Sequence, residues 1–260
     1  MEKLPKTKTP KRFLTAKMKT HNLFYNQQGL FMDKILEIKN LKKSFKMEDA
    51  PTIMDLNLDL YENEFLGIIG PSGSGKTTLL RLIAGLIVLD SGEILYKGRD
   101  LPIVGDKRRN LEDFPVQLIF QNAVSSFDSK KTILQSFKEA LHFSKKEFNE
   151  AELETLIEDF ELDKECLKKR PYELSGGMIS RAQIIRALLT EPKVLLADEI
   201  TSPLDVNLKL KTTELLDSYR KKHGMSIILV SHDVQLLYYA CDRVVNIKDI
   251  MHKQKKSRFK

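Results

Sequence analysis

The chain has 260 residues, 42% hydrophobic and 30% charged, a composition typical of a globular protein with one sizeable α/β domain. Its net charge is +7, but residues 1–31 contribute +6 and residues 252–260 contribute +5, which leaves residues 32–251 at about −4. The basic excess therefore lies in two tails and argues against a nucleic-acid-binding domain, and no apolar run approaches the roughly 18 residues of a membrane span.

The chain begins with a lysine-rich segment, residues 1–31, that contains two prolines and little hydrophobic periodicity. We expect it to be a disordered basic extension. A compact sequence begins at Met32, a candidate translation start, and we expect residues 32–251 to form one domain. Residues 252–260 then form a basic tail. The charge of the tails suits either an anionic membrane surface or a simply solvated segment.

The first part of the compact sequence reads as strands around one helix. Alternating apolar and polar residues predict half-buried strands over residues 34–40, 52–61 and 92–98. Residues 65–70 are almost fully apolar and lead into a glycine-rich turn. Residues 77–86 then have helical spacing. A buried strand, a turn and a helix are therefore expected here.

The hydrophobic spacing changes in the middle of the chain. Residues 132–170 carry apolar residues at helical spacing with acidic residues on the opposite face, which predicts a helical insert. We expect a helical subdomain over about residues 130–185. Strands and helices alternate elsewhere, which predicts a mostly parallel sheet with helices on both faces. The predicted strands are 116–120, 193–198, 226–231 and 243–247, and the predicted helices are 177–189, 208–222 and 234–240.

The glycine-rich turn matches the phosphate-binding pattern G-x-x-x-x-G-K-[ST]. The matching residues, with the threonine that follows them, are Gly70, Pro71, Ser72, Gly73, Ser74, Gly75, Lys76, Thr77 and Thr78. Glycines allow backbone N–H groups to surround a phosphate at the positive end of the next helix. Lys76 would reach the β- and γ-phosphate oxygens, and the Thr77 hydroxyl would ligate Mg²⁺. A nucleotide site with Mg²⁺ is therefore predicted, and by itself it does not separate kinases, GTPases, helicases and transporters.

A second glycine-rich segment follows about a hundred residues later, at Leu174, Ser175, Gly176 and Gly177. By itself it reads as a helix cap. At this distance from a phosphate-binding loop it resembles the LSGGQ signature of the ABC ATPase family, a resemblance that spans residues 34–247. It implies an α/β P-loop NTPase fold of the ABC ATPase type, with a mostly parallel core sheet, an antiparallel β subdomain and a helical subdomain. It also implies ATP hydrolysis.

Further motifs of the family occur in the expected order and imply the catalytic residues. The run ending in Asp198 and Glu199 is similar to Walker B, which implies that Asp198 holds Mg²⁺ and that Glu199 polarises the attacking water. Gln121 matches the glutamine that contacts the metal or its water and links to the membrane partner. His232 matches the histidine that binds the γ-phosphate. Together with Lys76, these residues form the predicted catalytic set.

The resemblance also implies binding residues and partners. Phe45 lies where the family places an aromatic ring that stacks on adenine, and Asp205 matches the D-loop. Ser175 and Gly177 of one subunit would meet the nucleotide held by the partner's Lys76 in a head-to-tail dimer, with an identical or a related second ATPase. Transmembrane permease subunits and, indirectly, an extracytoplasmic substrate-binding protein are the other expected partners, at the cytoplasmic face of the membrane. No nucleic-acid partner is expected.

The segment after Gln121 indicates a subfamily of the ABC ATPases. Residues 120–133 resemble the corresponding stretch of the peptide and nickel importers, with departures at Phe127, Asp128, Ser129 and Lys130, and Met178 is also frequent there. Importers of peptides, nickel or metal chelates are therefore the expected subfamily. The short C-terminus favours the members that handle nickel or metal chelates. An exporter or lipoprotein-extrusion ATPase stays open, as does, more distantly, a soluble ABC ATPase acting on ribosomes or DNA.

Overall fold

The computed structural model describes residues 33–45, 52–102 and 114–251. The predicted basic extension over residues 1–31, the candidate start at Met32 and the basic tail over residues 252–260 lie outside the described residues. The described strands are β1 (Lys34–Lys43), β2 (Ile53–Tyr61), β3 (Phe65–Ile69), β4 (Ser91–Tyr96), β5 (Arg99–Asp100), β6 (Val116–Ile119), β7 (Val194–Asp198), β8 (Ser226–Val230) and β9 (Arg243–Asn246). The described helices are α1 (Lys76–Ile83), α2 (Ile133–Phe143), α3 (Glu150–Asp159), α4 (Gly176–Leu189), α5 (Val206–His223) and α6 (Val234–Ala240).

Strands β1, β2, β4 and β5 form an antiparallel sheet in the order β2-β1-β4-β5. Strand β2 alternates between buried and half-buried residues along most of its length, as expected for a strand with one face on a core. Strand β1 continues three residues past its predicted end because an irregularity between Ile38 and Leu41, with Asn40 at a φ of 49°, lets pairing resume.

The second sheet is parallel throughout, with the order β6-β7-β8-β3-β9. Strands β7 and β8 are buried along their whole length, which explains their uninterrupted apolar sequences. Because the carboxyl ends of parallel strands meet at one edge, the residues that follow β3, β6, β7 and β8 are brought together there. These include the glycine-rich turn, Gln121, Glu199 and His232.

Helices α2 and α3 occur where the helical insert was predicted, and they pack with α4 on a shared core that includes Phe137, Leu156 and Ile185. Thr132 and Gln135 form a capping box that starts α2. Nine of the fourteen residues of α4 are buried, so this helix lies inside the fold and not on its surface. The extent of the helical subdomain, about residues 130–185, stays a prediction.

Helix α1 begins at Lys76 and ends at Ile83, three residues before its predicted end. Gly85 adopts a φ of 62°, and the N–H of Leu86 donates to the carbonyl of Arg81. This glycine termination stops the helix although the apolar spacing continues. Strand β5, only two residues long, was not predicted, since its sequence carries no periodicity.

Candidate nucleotide-binding site

A cleft of about 310 Å³ opens at the carboxyl edge of the parallel sheet. It gathers parts of six separate segments of the chain, from Phe45 near the end of β1 to His232 after β8. Its lining residues are Phe45, Thr52, Ser72, Gly73, Ser74, Gly75, Lys76, Thr77, Thr78, Gln121, Glu199 and His232. Eleven of these twelve were candidates from the sequence; Thr52 is the addition.

The phosphate loop, residues 70–77, has a shape that requires glycine at Gly75. This residue has a φ of 90°, and a Cβ there would lie 2.9 Å from the carbonyl oxygen of Thr52. Thr52 therefore contributes through its backbone, which no side-chain motif reveals. No side chain caps the first turn of α1, and Lys76, Thr77 and Thr78 of that turn line the cleft, so its N–H groups are available to an anion there.

The Lys76 side chain is held in place by the loop that precedes it. Its Nζ donates hydrogen bonds to the carbonyl oxygens of Gly70 and Pro71, at 2.8 and 2.9 Å. Gly70 and Pro71 do not line the cleft; they act from behind it by orienting the lysine. Within the described residues Lys76 is in no ion pair, so its positive charge has no carboxylate within 4.0 Å.

Three carboxyl-edge residues converge on each other. Gln121 Nε2 donates to Glu199 Oε2 at 2.8 Å, and His232 Nε2 lies 2.6 Å from Glu199 Oε1. Glu199 has a φ of 52°, and its N–H donates to the carbonyl of Val230 at 3.0 Å. Backbone strain of this kind is typical of functional positions. Both carboxylate oxygens of Glu199 are thus held from the neighbouring strand ends.

Asp198 lies beside the cleft and is 3% exposed. Burial raises the pKa of its carboxyl group, and hydrogen bonding to Thr77 opposes that shift in part. Among the described residues, its Oδ1 has no hydrogen-bond partner. A buried carboxylate oxygen without a partner, next to a threonine hydroxyl, is a set of hard oxygen donors that fits Mg²⁺.

Phe45 lies at the edge of the cleft with 40% of its surface exposed. Lys43 Nζ is 5.4 Å from the centroid of its ring and 2.8 Å from Asp90 Oδ1. An exposed aromatic face at the mouth of a phosphate site is suited to stacking on a purine base. The position predicted for Phe45 from its spacing is therefore compatible with that role.

The signature segment, Leu174 to Gly177, and Asp205 lie outside the cleft. Ser175 caps α4 by accepting a hydrogen bond from the N–H of Met178 at 3.3 Å, and Asp205 caps α5 through Leu208. A Cβ added at Gly176 or Gly177 would make only ordinary contacts, at 3.9 and 3.8 Å. Contacts within the described part of the chain therefore do not require glycine at either position.

The family model described as ABC transporter matches residues 53–202. This chain belongs to the ABC transporter family. The resemblance inferred from the sequence motifs is confirmed, and so is the assignment of the chain as an ABC ATPase. In residues 33–45, 52–102 and 114–251, no helix is both long and apolar enough to cross a bilayer.

Two groups of curated relatives are similar to this ABC ATPase. The oligopeptide transport ATP-binding protein OppF of Streptococcus mutans is 33% identical over 220 residues, which cover 81% of this chain and 71% of that protein. The nickel import ATP-binding protein NikE of Pseudomonas putida is 35% identical, covering 73% and 71%. OppF of Haemophilus influenzae is 34% identical, and the match covers 65% of its length.

Solved structures agree with this placement. A dimeric structure of MJ0796, a bacterial ABC transporter cassette, has a TM-score of 0.73 at 26% identity and covers 81% of this chain and 93% of its own. A post-hydrolysis state of the same cassette, bound to ADP and Pi, has a TM-score of 0.74 at 25% identity and covers 84% and 97%. The predicted fold class is confirmed.

Proposed function

We propose that this ABC ATPase binds Mg²⁺-ATP in the cleft, hydrolyses it as one half of a head-to-tail dimer, and so drives permease subunits that import peptides, nickel or metal chelates. The observation that carries the proposal is the cleft itself. It joins the phosphate loop to Gln121, Glu199 and His232, while the signature segment lies outside it.

Binding of the triphosphate rests on charge and on hydrogen-bond donors. Lys76 is fixed by Gly70 and Pro71 and has no carboxylate neighbour in the described residues, so its charge is available to the β- and γ-phosphates. The Oγ of Ser74 is buried and has no hydrogen-bond partner there either. The N–H groups at the start of α1 add the positive end of the helix dipole. Phe45 would stack on the base.

Mg²⁺ would be held by Thr77 and Asp198, with Gln121 near its water ligands, and would neutralise charge on the phosphates. Its presence would also offset the unfavourable burial of the Asp198 carboxylate. We therefore expect nucleotide and metal together to stabilise the fold more than either alone. The residues present fit the ion because each offers an oxygen atom, the ligand type that Mg²⁺ prefers.

Glu199 would accept a proton from the attacking water. Gln121 and His232 orient its two oxygens from opposite sides, at 2.8 and 2.6 Å. When the attacking water takes the place of His232 at Glu199 Oε1, its proton faces the carboxylate. His232 then becomes free to turn towards the γ-phosphate, where its imidazole would stabilise developing negative charge.

Dimerisation explains why the signature segment is separate from the cleft. Ser175 and the N–H groups of Gly176 and Gly177 form the second helix N-terminus suited to a phosphate. Contacts within the described chain do not require glycine at these two positions. Side chains there would, however, obstruct a nucleotide that approaches from outside. A second copy or a related ATPase would supply that nucleotide, with Asp205 close to the same surface.

The permease would dock in a groove of about 580 Å³ next to the Gln121 segment. Leu86 and Phe143 line this groove and are 42% and 59% exposed, and Phe120 lies directly before Gln121. An apolar segment of the permease would cover these side chains and contact the strand that positions Gln121. Such docking would place the chain at the cytoplasmic face of a membrane.

The importer assignment is supported by relatives whose names specify oligopeptide and nickel transport. Affinity purification of the full chain from native membranes in detergent, followed by identification of what accompanies it, tests this assignment. Recovery of multi-span permeases, with or without a second ATPase, is the expected result. Recovery of an export complex, or of ribosomal or DNA-associated proteins without a permease, would overturn it.

The catalytic assignment is tested by replacing Glu199 with glutamine. Glu199→Gln keeps the hydrogen bond with Gln121 available but removes the base, so we expect ATP binding to be retained and turnover to fall by about 10²–10⁴-fold. Lys76→Met, which removes the phosphate contact, should lose binding as well. Near-normal hydrolysis by Glu199→Gln would refute its role as the base.

A further inference from the structure

Arg186 lies on α4, the helix whose N-terminus carries the signature segment, but near the opposite end of that helix. Its Nη1 donates a hydrogen bond of 2.7 Å to the carbonyl oxygen of Ser126. Its guanidinium carbon lies 4.1 Å from the centroid of the Phe127 ring. One side chain therefore connects α4 to the segment that follows Gln121.

That segment, residues 122–127, is a compact turn. Ser126 N–H donates to the carbonyl of Ala123, and Phe127 N–H donates to that of Val124. The side chains of Ser125 and Ser126 add hydrogen bonds to the backbone of Asn122 and Ala123. Phe127 is buried against the core. Because the turn is held together internally, it and Gln121 are expected to shift together.

The environment of Arg186 is costly for a charge. Burial lowers the pKa of Arg186 to about 10, so it remains protonated at neutral pH. No carboxylate in the described residues lies within ion-pair distance of it, and Glu139 acts only through its field. A carbonyl oxygen and an aromatic face therefore replace a counter-ion. An apolar residue would fill this space without that cost, but it would not fix α4 to the turn.

We propose that Arg186 is a positioning residue that joins the turn after Gln121 to α4, so that a displacement of the signature segment reaches Gln121 and the catalytic carboxylate. The connection runs from Ser175 along α4 to Arg186, through Ser126 and Phe127 to Gln121, and from Gln121 Nε2 to Glu199. It rests on the proposed function, because it matters only if α4 faces a nucleotide held by the partner. Arg186 also lines the groove proposed for the permease, so a docked permease would act on the same connection.

The test compares variants of the full-length chain in ATP turnover and in ATP affinity, the latter measured by equilibrium binding. Arg186→Met removes the hydrogen bond and the charge, and Phe127→Leu removes the aromatic face but leaves Arg186 intact. We expect the turnover number of each to fall on the order of tenfold while the affinity for ATP changes less than about twofold. The double variant should be no slower than the slower single variant.

Two further variants separate positioning from stability. Arg181→Met is a control on the same helix, where Arg181 donates to the carbonyls of Phe160, Glu161 and, within α4, Gly177, but does not reach the turn. It should lower the melting temperature as Arg186→Met does but keep more turnover per folded molecule. Arg186→Lys should restore turnover in part, since it retains the charge. If Arg186→Met does not fold, Phe127→Leu and Arg186→Lys still measure the connection.

The inference is overturned if Arg186→Met and Phe127→Leu keep turnover within twofold of the unchanged chain. It is also overturned if turnover falls only in proportion to the folded fraction, as in Arg181→Met, or if the two substitutions act independently. Absence of hydrolysis by the unchanged chain would overturn the proposed function together with this inference. Hydrolysis that Glu199→Gln abolishes but that is indifferent to Arg186 would overturn this inference alone.

Discussion

The molecule presents two glycine-rich helix N-termini, at α1 and at α4, and they differ in what surrounds them. The phosphate loop before α1 meets Thr52, Gln121, Glu199 and His232 from its own chain. At the signature segment before α4, a Cβ on Gly176 or Gly177 would make only ordinary contacts, with Pro203 and Leu204. The same local motif is thus completed by the fold in one place and left for a second molecule in the other.

Capping shows the same difference. The first turn of α1 has no side-chain cap, so its N–H groups are left for a phosphate. The first turn of α4 is capped by Ser175, whose oxygen accepts a hydrogen bond of 3.3 Å from Met178 N–H. The Ser175 hydroxyl still has its proton to donate. In the proposed function, the first end holds an anion, and the second adds a contact to an anion held by the partner.

Among the changes at the two helix N-termini, Gly177→Asp should reduce turnover most, because it places a carboxylate where the partner's nucleotide would approach. Turnover should fall by about 10²–10³-fold, because negative charge there opposes the phosphate. The affinity of the single chain for ATP should be unchanged. A mixture with Lys76→Met chains should recover turnover, since a mixed dimer holds one intact composite site. Failure of the mixture to recover activity would contradict a head-to-tail arrangement.

Gly75→Ala acts on the first helix end. A residue with a Cβ at a φ of 90°, 2.9 Å from the Thr52 oxygen, should lower the free energy of unfolding by about 1–3 kcal/mol. Gly177→Ala, where the backbone is helical and a Cβ would make only an ordinary contact of 3.8 Å with Leu204, is the matched control and should not lower it. Denaturant unfolding measures the free energy of unfolding of both variants. Equal losses would mean that glycine is no more necessary at Gly75 than at Gly177.

Ser175→Ala should have a smaller effect on stability, about 1 kcal/mol, because α4 loses its cap. Asn149→Ala, which removes the corresponding cap of α3, is expected to lose a similar amount. The two variants should differ in ATP turnover per folded molecule, which Ser175→Ala should reduce and Asn149→Ala should leave unchanged. Unfolding and ATPase assays on both variants test this. Equal turnover per folded molecule would leave Ser175 with a capping role alone.

Asp198→Asn should change the free energy of unfolding least, and it should raise it. Burial raises the pKa of Asp198 in the folded state, so its ionisation disfavours folding as pH rises through that pKa towards neutrality. The variant should therefore gain stability relative to the unchanged chain at neutral pH and not at acid pH. It should also lose the extra stabilisation by Mg²⁺ in the presence of ATP. Thermal melts at several pH values measure both differences, and an Asn variant less stable at neutral pH would refute the assignment.

Much of the fold was predictable from local pattern. The parallel strands have buried apolar sequences, and the helices α2 and α4 carry the spacing that identified them. The ends of the elements were less accurate. The left-handed conformation of Gly85 ended α1 early, and the irregularity near Asn40 prolonged β1. Both depend on backbone conformations that hydrophobic periodicity does not record.

The residue types and their order from Phe45 to His232 were sufficient to predict a nucleotide site, the family and eleven of the cleft residues. Which of these residues contact one another depends on the fold. It placed Glu199 between Gln121 and His232, moved Gly70 and Pro71 behind Lys76, added the Thr52 backbone, and joined Arg186 to the turn after Gln121. These contacts join segments far apart in the chain, and their geometry depends on strand order and on packing, which no local pattern encodes.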